Sequence, residues 1–270
     1  MKILVNFAND IYIESQKLSS NTGMSVGGFD RVISYSPDSI SKRFKQKNRD
    51  IFSLKRGYGY WLWKPYIILD ALRKSKKGDW IFYSDSAVEF IDTVDLIIDA
   101  VESKNQSVFP FEIKGAKEVQ WTKRSVLEAF DLWGDDGSYT SQRSGAFILL
   151  KNSDEAVKFF TEYLDYCEKK NLLDDSLDLK NEHSMLIEHR HDQSIFSCLT
   201  KKYDLDVFRD PSQWGIKYKS FFENSEYPQI LNHTRKSNKT FIENYAFKIK
   251  IHLIRKLVSL RLRVLNKYLF

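Results

Sequence analysis

The chain has little cysteine, no long apolar run and no low-complexity tract, and each lack excludes a class of protein. Two cysteines, Cys167 and Cys198, stand among 270 residues. That is too few for a disulfide framework and forms no paired metal-ligand spacing, so a reducing, cytosolic compartment is expected. The opening run Met1-Lys2-Ile3-Leu4-Val5-Asn6-Phe7 meets Asn9 and Asp10 almost at once. It lacks the apolar length of a signal peptide or membrane span, so neither is expected. Against these absences stand 42% hydrophobic and 14% aromatic residues, enough for a real core and too many for a disordered chain.

Charge is unevenly placed. Lys and Arg number 42 against 36 Asp and Glu, giving +6 and a pI near 9.0. Residues 235–270 hold ten Lys/Arg against Glu243 alone, +9, so the preceding 234 residues sum to −3. The basic excess belongs to one segment and not to the body, and nucleic acid is not expected as a partner.

Residues 2–8 read as a buried strand that opens at Asn9-Asp10 into a loop, and a second strand is expected at 31–35, ahead of Ser36-Pro37-Asp38, which can start a helix. Pro65 suits a first helical turn, with Ile67, Ile68, Ala71 and Leu72 forming an apolar stripe that Gly78-Asp79 ends. Residues 80–83 read as a buried aromatic strand delivering Ser84-Asp85-Ser86 to its carboxyl end. Expected next are a helix over 92–103, a strand over 107–111, a helix over 122–132, a strand over 146–150, an amphipathic helix over 154–170, an acidic loop and a helix from near His191. This alternation predicts an α/β fold, a mostly parallel sheet covered on both faces, with ligands bound beyond the carboxyl ends of its strands. Residues 1–235 read as one domain and 236–270 as a basic tail.

Four stretches can carry chemistry. Asp85, at the end of the aromatic strand, is either a turn cap or a ligand for a hard cation that also binds a diphosphate. Lys64 lies in "RGYGYWLWKPYII" beside a helix start, where helix amides also favour anions, so phosphate binding is its functional reading; the Gly-x-Gly pair alone is weak. In "EHRHDQSIFSCL", His189 and His191 lack the partners of a zinc set, and Asp192 either caps the helix or orients or deprotonates a hydroxyl. His233 precedes a basic turn, where with Arg235 it can close over a diphosphate or ligate its metal.

The ordered run "RGYGYWLWKPYIILDAL", "IFYSDSA", "WTKR", "QRSGAFILLKN" and "EHRHDQSIFS", spanning roughly 50–235, resembles bacterial glycosyltransferases of the GT-A type from lipopolysaccharide O-antigen and capsule gene clusters. The resemblance implies a nucleotide-sugar-binding α/β domain in which a strand-end acid, matched by Asp85, binds a metal-diphosphate. The metal would be Mn²⁺ or Mg²⁺, with His233 as a further ligand. The sequence departs from the pattern in Ser84-Asp85-Ser86-Ala87, where the second acid of an Asp-x-Asp motif is missing. The resemblance further implies that Asn6, Ala8 and Asn9 face the nucleotide, Ser144 and Gly145 lie under the acceptor, and Asp192 and Gln193 stand near the transferred sugar. Hexose transfer from a nucleoside-diphosphate sugar, UDP-sugar foremost, to a lipid-linked glycan is the expected reaction. A degenerate binding module and a metal-dependent phosphodiesterase are the alternatives.

In the tail, Phe247, Ile251, Ile254, Val258, Leu262, Leu265 and Leu269 recur at helical spacing, with Lys248, Arg255, Lys256, Arg263 and Lys267 flanking them. Either the stripe packs on the body or it lies in an anionic membrane surface. The second reading places the protein at the inner face of the cytoplasmic membrane.

Overall fold

The computed structural model describes residues 1–134, 136–178 and 180–234. Arg235 and the expected tail, 236–270, lie outside the described residues.

Strands β1 (Lys2–Phe7), β2 (Arg31–Tyr35), β3 (Trp80–Ser84), β5 (Val108–Lys117), β6 (Ser141–Lys151) and β7 (Phe208–Arg209) form one sheet in the order β2-β1-β3-β6-β5-β7. β1 runs parallel to β2 and β3, β6 runs antiparallel to β3 and β5, and β7 runs parallel to β5. Five strands therefore point one way and β6 alone returns, which is the mostly parallel α/β sheet expected. A small antiparallel pair, β4 (Val88–Phe90) with β8 (Leu231–His233), sits beside it.

Strand side chains alternate faces with a period of two, and both faces are covered. Ile3, Val5, Phe7, Ile81, Tyr83, Ile148 and Leu150 join one cluster with the helices Trp63–Lys74, Asp154–Cys167 and His191–Lys202. Leu4, Trp80, Phe82, Phe147 and Leu149 join the other with Val88, Phe90 and the helix Asp95–Val101.

Several elements differ from the sequence expectation. The helix Ile13–Ser25 has no counterpart among the expected elements: its buried positions are Ser15, Ser19 and Gly23, so its inner face is a stripe of small residues and not an apolar one. At Gly23 an added Cβ would sit 2.6 Å from Leu4 Cδ2, which is why helix and sheet come so close. β5 and β6 are each about twice their expected length, and the helix expected over 122–132 is found only at Arg124–Ala129, with a separate helical turn at Glu118–Trp121 before it.

The segment before Lys64 is the most unusual piece of backbone. Gly57, Tyr58, Gly59, Tyr60 and Trp61 have φ of 58°, 54°, 80°, 49° and 61° in succession, a left-handed turn in which three residues are not glycine. Left-handed backbone costs an L-residue roughly 1–2 kcal/mol, so Tyr58, Tyr60 and Trp61 together store about 3–6 kcal/mol. Side chains hold the turn shut. Trp63 Nε1 donates to Gly57 O at 2.9 Å, the Trp63 ring stacks on Phe7 at 3.9 Å, and the Tyr60 hydroxyl donates to Asp175 Oδ2 at 2.7 Å.

A Cβ at Gly57 would lie 2.5 Å from the Trp61 indole, whereas one at Gly78, also at positive φ, meets nothing within 4 Å. Gly57→Ala is therefore expected to lower stability by about 2–4 kcal/mol and Gly78→Ala by about 1–2 kcal/mol in urea denaturation. Equal losses would show that the indole contact contributes nothing.

Candidate functional site

The site lies at the carboxyl edge of the sheet. β3 is buried along its whole length and ends at Ser84, and the Asp85 amide then donates to Ala146 O at 2.8 Å, fixing the turn against β6. Asp85 Oδ1 accepts from the Tyr83 hydroxyl at 2.7 Å, while the Asp85 side chain is 42% exposed. Asp85 is the one acid of the network that solvent reaches. Burial, and then the Asp85 carboxylate, push the Tyr83 phenol well above its ordinary value, so it stays a donor.

Lys64 enters from the first turn of the helix Trp63–Lys74 and is buried. Its Nζ lies 2.6 Å from Asp192 Oδ2, donates to Gly145 O at 2.8 Å and stands 3.8 Å from Asp85 Oδ1. Burial alone would depress an ammonium, but the Asp192 and Asp85 carboxylates outweigh it and hold Lys64 above the usual lysine value. Asp192, on the first turn of the helix His191–Lys202, is 3% exposed and also accepts from the Tyr163 hydroxyl at 3.3 Å. Burial pushes this carboxyl up and the ammonium opposes it, so the charged pair is the form that fits near neutral pH.

Gln193 binds the next strand into the network. Its Oε1 accepts from Gly145 N at 3.1 Å and its Nε2 donates to Gln142 Oε1 at 2.7 Å. A Cβ at Gly145 would stand 3.0 Å from Gln193 Cβ, so only glycine fits without displacement. Ser144 is buried, its hydroxyl accepting from Ala146 N. Trp121 O accepts from Ser194 Oγ at 2.8 Å and from Arg190 N at 3.0 Å, and the Arg190 guanidinium lies 4.0 Å over the Trp121 ring. All five stretches of the resemblance therefore meet at one place.

The other expected residues are more dispersed. Asn6 is buried beneath the edge, donating to Ser20 Oγ and accepting from Gln16 Nε2. The Ala8 amide donates to Tyr35 O. Asn9 Oδ1 is buried and has no hydrogen-bond partner among the described residues. His233 sits on β8, its ring 4.8 Å from Phe147, which pairs with Ser84 across β3 and β6. Ser86, between Asp85 and the Ala87 that stands where a second acid would, donates its hydroxyl to Phe7 O.

Three groups were not singled out from the sequence. Tyr83 stands two residues before Asp85 and so shares its strand face, a signal the sequence offers. Tyr163 is one aromatic in an amphipathic stripe and offers none. Lys123, buried in "WTKR", donates to Asp174 O at 2.7 Å and Ser176 O at 3.1 Å, pinning the acidic loop. Arg56 clamps the same loop through Asp175 at 3.0 Å and through Glu188. His189 and His191 face backbone carbonyls, Leu172 O and Leu173 O, at 2.9 and 2.8 Å. Among the described residues no group of three or more His, Cys, Asp or Glu is placed to hold a metal.

No protein-family model matches the chain, and no curated protein matches it. Two examples stand among the solved structures similar in shape. One is mouse xyloside xylosyltransferase 1 in its apo form, at 10% identity and a TM-score of 0.47, covering 89% of this chain and 100% of that one. The other is a glycosyltransferase involved in glycosylation of the major capsid of PBCV-1, at 11% identity and 0.45, covering 87% and 95%.

Removing one member of a buried ion pair strands the other, at a cost of about 3–5 kcal/mol. Lys64→Met is expected to destabilise by about that much, and Lys64→Met with Asp192→Asn to recover a large part of it. A double-mutant cycle by chemical denaturation measures this, and additive losses would refute coupling.

His191 supplies a pH test. Burial is the main cause that lowers its imidazole to about 4, whereas the unfolded value is near 6.5. The folded state excludes a proton that the unfolded chain takes, so this stability is present above pH 6.5 and lost as pH falls toward 4. From pH 7.5 to 5 the loss through His191 is about 2 kcal/mol, and His189, depressed by burial in the same direction, adds to it. His191→Asn, which tolerates the φ of 49° at this position, is expected to flatten the pH dependence of the urea midpoint.

Proposed function

We propose that this chain is a glycosyltransferase moving a hexose from a nucleoside-diphosphate sugar, UDP-sugar foremost, to a hydroxyl of a lipid-linked glycan in surface polysaccharide biosynthesis. The carrying observation is the network at the sheet edge: one exposed carboxylate, Asp85, held by Tyr83 and backed by the buried Lys64–Asp192 pair. Ligands of open α/β sheets bind at this edge.

The resemblance implies a divalent cation, and the residues fit one shared with a diphosphate. Asp85 Oδ2 has no hydrogen-bond partner among the described residues, and a hard cation carried by phosphates takes one or two protein carboxylates. His233 would be a further ligand. When bound, such a cation neutralises charge on the leaving diphosphate. Tyr83 fixes the Asp85 carboxylate, Gln193 and Gly145 shape the floor, and Asn9 offers a free acceptor to a donor N–H of the nucleotide. Asp192 is sealed behind Lys64, which favours electrostatic support of an oxocarbenium-like state over taking the acceptor's proton. Residues 236–270 would hold the protein to an anionic membrane surface at the cytoplasmic side.

Purified full-length protein is expected to gain thermal stability with its cognate nucleotide sugar and to transfer or hydrolyse it. Asp85→Asn should retain the fold and lose at least about a hundredfold in turnover. If no nucleotide sugar stabilises the protein, or Asp85→Asn remains fully active, the proposal fails.

A further inference from the structure

The body carries its own concentration of positive charge. Residues 42–56 hold seven Lys/Arg against Asp50 alone, +6, while the rest of residues 1–234 carries −9. Part of this charge is tied down: Lys47 pairs with Glu168, Arg56 with Asp175 and Glu188, and Arg49 lies 3.6 Å from Asp50. Lys42, Arg43 and Lys55 are exposed, without an ion-pair partner among the described residues.

The topology places this block. β1 and β2 are parallel neighbours, so the loops leaving their carboxyl ends rise side by side from one sheet edge. The connection after β2 carries residues 42–56, including the short helices Lys42–Lys47 and Arg49–Phe52. The connection after β1 carries Ile11 and Tyr12 and leads into the helix that starts at Ile13, with Ile11 58% exposed. The next strand in the sheet, β3, carries Asp85 at the same edge. At the far end of that edge the segment after β7 exposes Trp214, Ile216 and Phe221 beside Lys217 and Lys219.

Single exposed apolar residues are ordinary on a soluble protein, and so are solvated lysines. Their combination along one edge is not what a free anion needs, because a small anion gains nothing from Ile11, Tyr12 or Phe221. An anionic lipid surface uses both, apolar side chains entering the headgroup boundary while Lys and Arg meet the phosphates.

We infer that the carboxyl edge of the sheet is a membrane-facing surface that rests on anionic lipid through Ile11–Ile13 and the unpaired cations of 42–56, with the mouth of the candidate site turned toward the bilayer. The inference uses residues 1–234 only and is independent of the 236–270 segment. It needs no particular reaction, so it stands or falls apart from the transferase proposal.

Both native cysteines are buried, so a single introduced cysteine can be labelled in the folded full-length chain. Ile11→Cys carrying an environment-sensitive NBD fluorophore is compared with Lys77→Cys, an exposed position at the opposite edge, before β3. On adding phosphatidylcholine vesicles containing phosphatidylserine at low salt, the probe at 11 is expected to shift to the blue and brighten, and the probe at 77 to stay unchanged. Protein that pellets with the vesicles while the probe at 11 stays in water is held by the tail alone, and that overturns the inference. So does an equal response at both positions. Lys42→Glu with Arg43→Glu is expected to weaken vesicle binding about tenfold or more, and undiminished binding would refute the electrostatic part.

Discussion

The enclosure of one ammonium sets the geometry of the whole sheet edge. Lys64 Nζ lies within reach of Asp192, Gly145 O and Asp85, which belong to a helix, to β6 and to the end of β3. A buried lysine left without such partners would lose its proton or unfold its surroundings, since an unpaired charge in a protein interior costs several kcal/mol. Each partner is therefore tied to the others through this one cation. The register of β6 against β3 places Gly145 O, the first turn of His191–Lys202 places Asp192, and the Tyr83 hydroxyl stops Asp85 from collapsing onto Lys64. A shift in any of the three elements would leave a proton of Lys64 unmet.

Delivering that ammonium requires the strained backbone before it. The five residues 57–61 turn left-handed and let Trp63 begin a helix directly against Phe7. A second non-glycine residue at positive φ, His191, starts the helix that carries Asp192. The two strained segments touch, the His191 ring lying 4.5 Å from Tyr60 and 5.4 Å from Trp61. Strain of this kind persists only where neighbours over-determine it. Here Arg56, Tyr60 and the acidic loop through Asp175 supply the restraint on one side, and the Leu173 carbonyl holds His191 on the other.

The sequence displays some of this and conceals the rest for identifiable reasons. β2 is found at its expected residues and β3 at nearly its own, because short runs of Val, Ile, Tyr and Phe bounded by turn residues leave a direct trace. The helix Ile13–Ser25 leaves none, since a face of Ser15, Ser19 and Gly23 has no apolar period. The reversal of β6 is equally silent, as an apolar run carries no direction. Asp85 is legible because strand order and turn chemistry put an acid at the ligand edge. The Lys64–Asp192 pair is not, because its members lie 128 positions apart and charged residues read by default as solvated. Lys64 beside a helix start reads as a phosphate contact; in the fold its ammonium is already surrounded by protein oxygens.

That enclosure changes what the missing second acid means. Counting Asp85, Asp192 and Lys64 as charged, the network carries one net negative charge, and it resides on the carboxylate that solvent reaches. The second acid of an Asp-x-Asp motif would stand at position 87, where this chain has alanine. A carboxylate there would add a charge that the single buried ammonium could not offset. With Ala87, and with Ser86 between them donating to Phe7 O, the edge presents one carboxylate of fixed orientation where a two-acid motif would present two. The selectivity of such an edge for a cation-bound diphosphate then rests on how rigidly Asp85 is held, and Tyr83, buried and kept protonated by its surroundings, is the group that holds it.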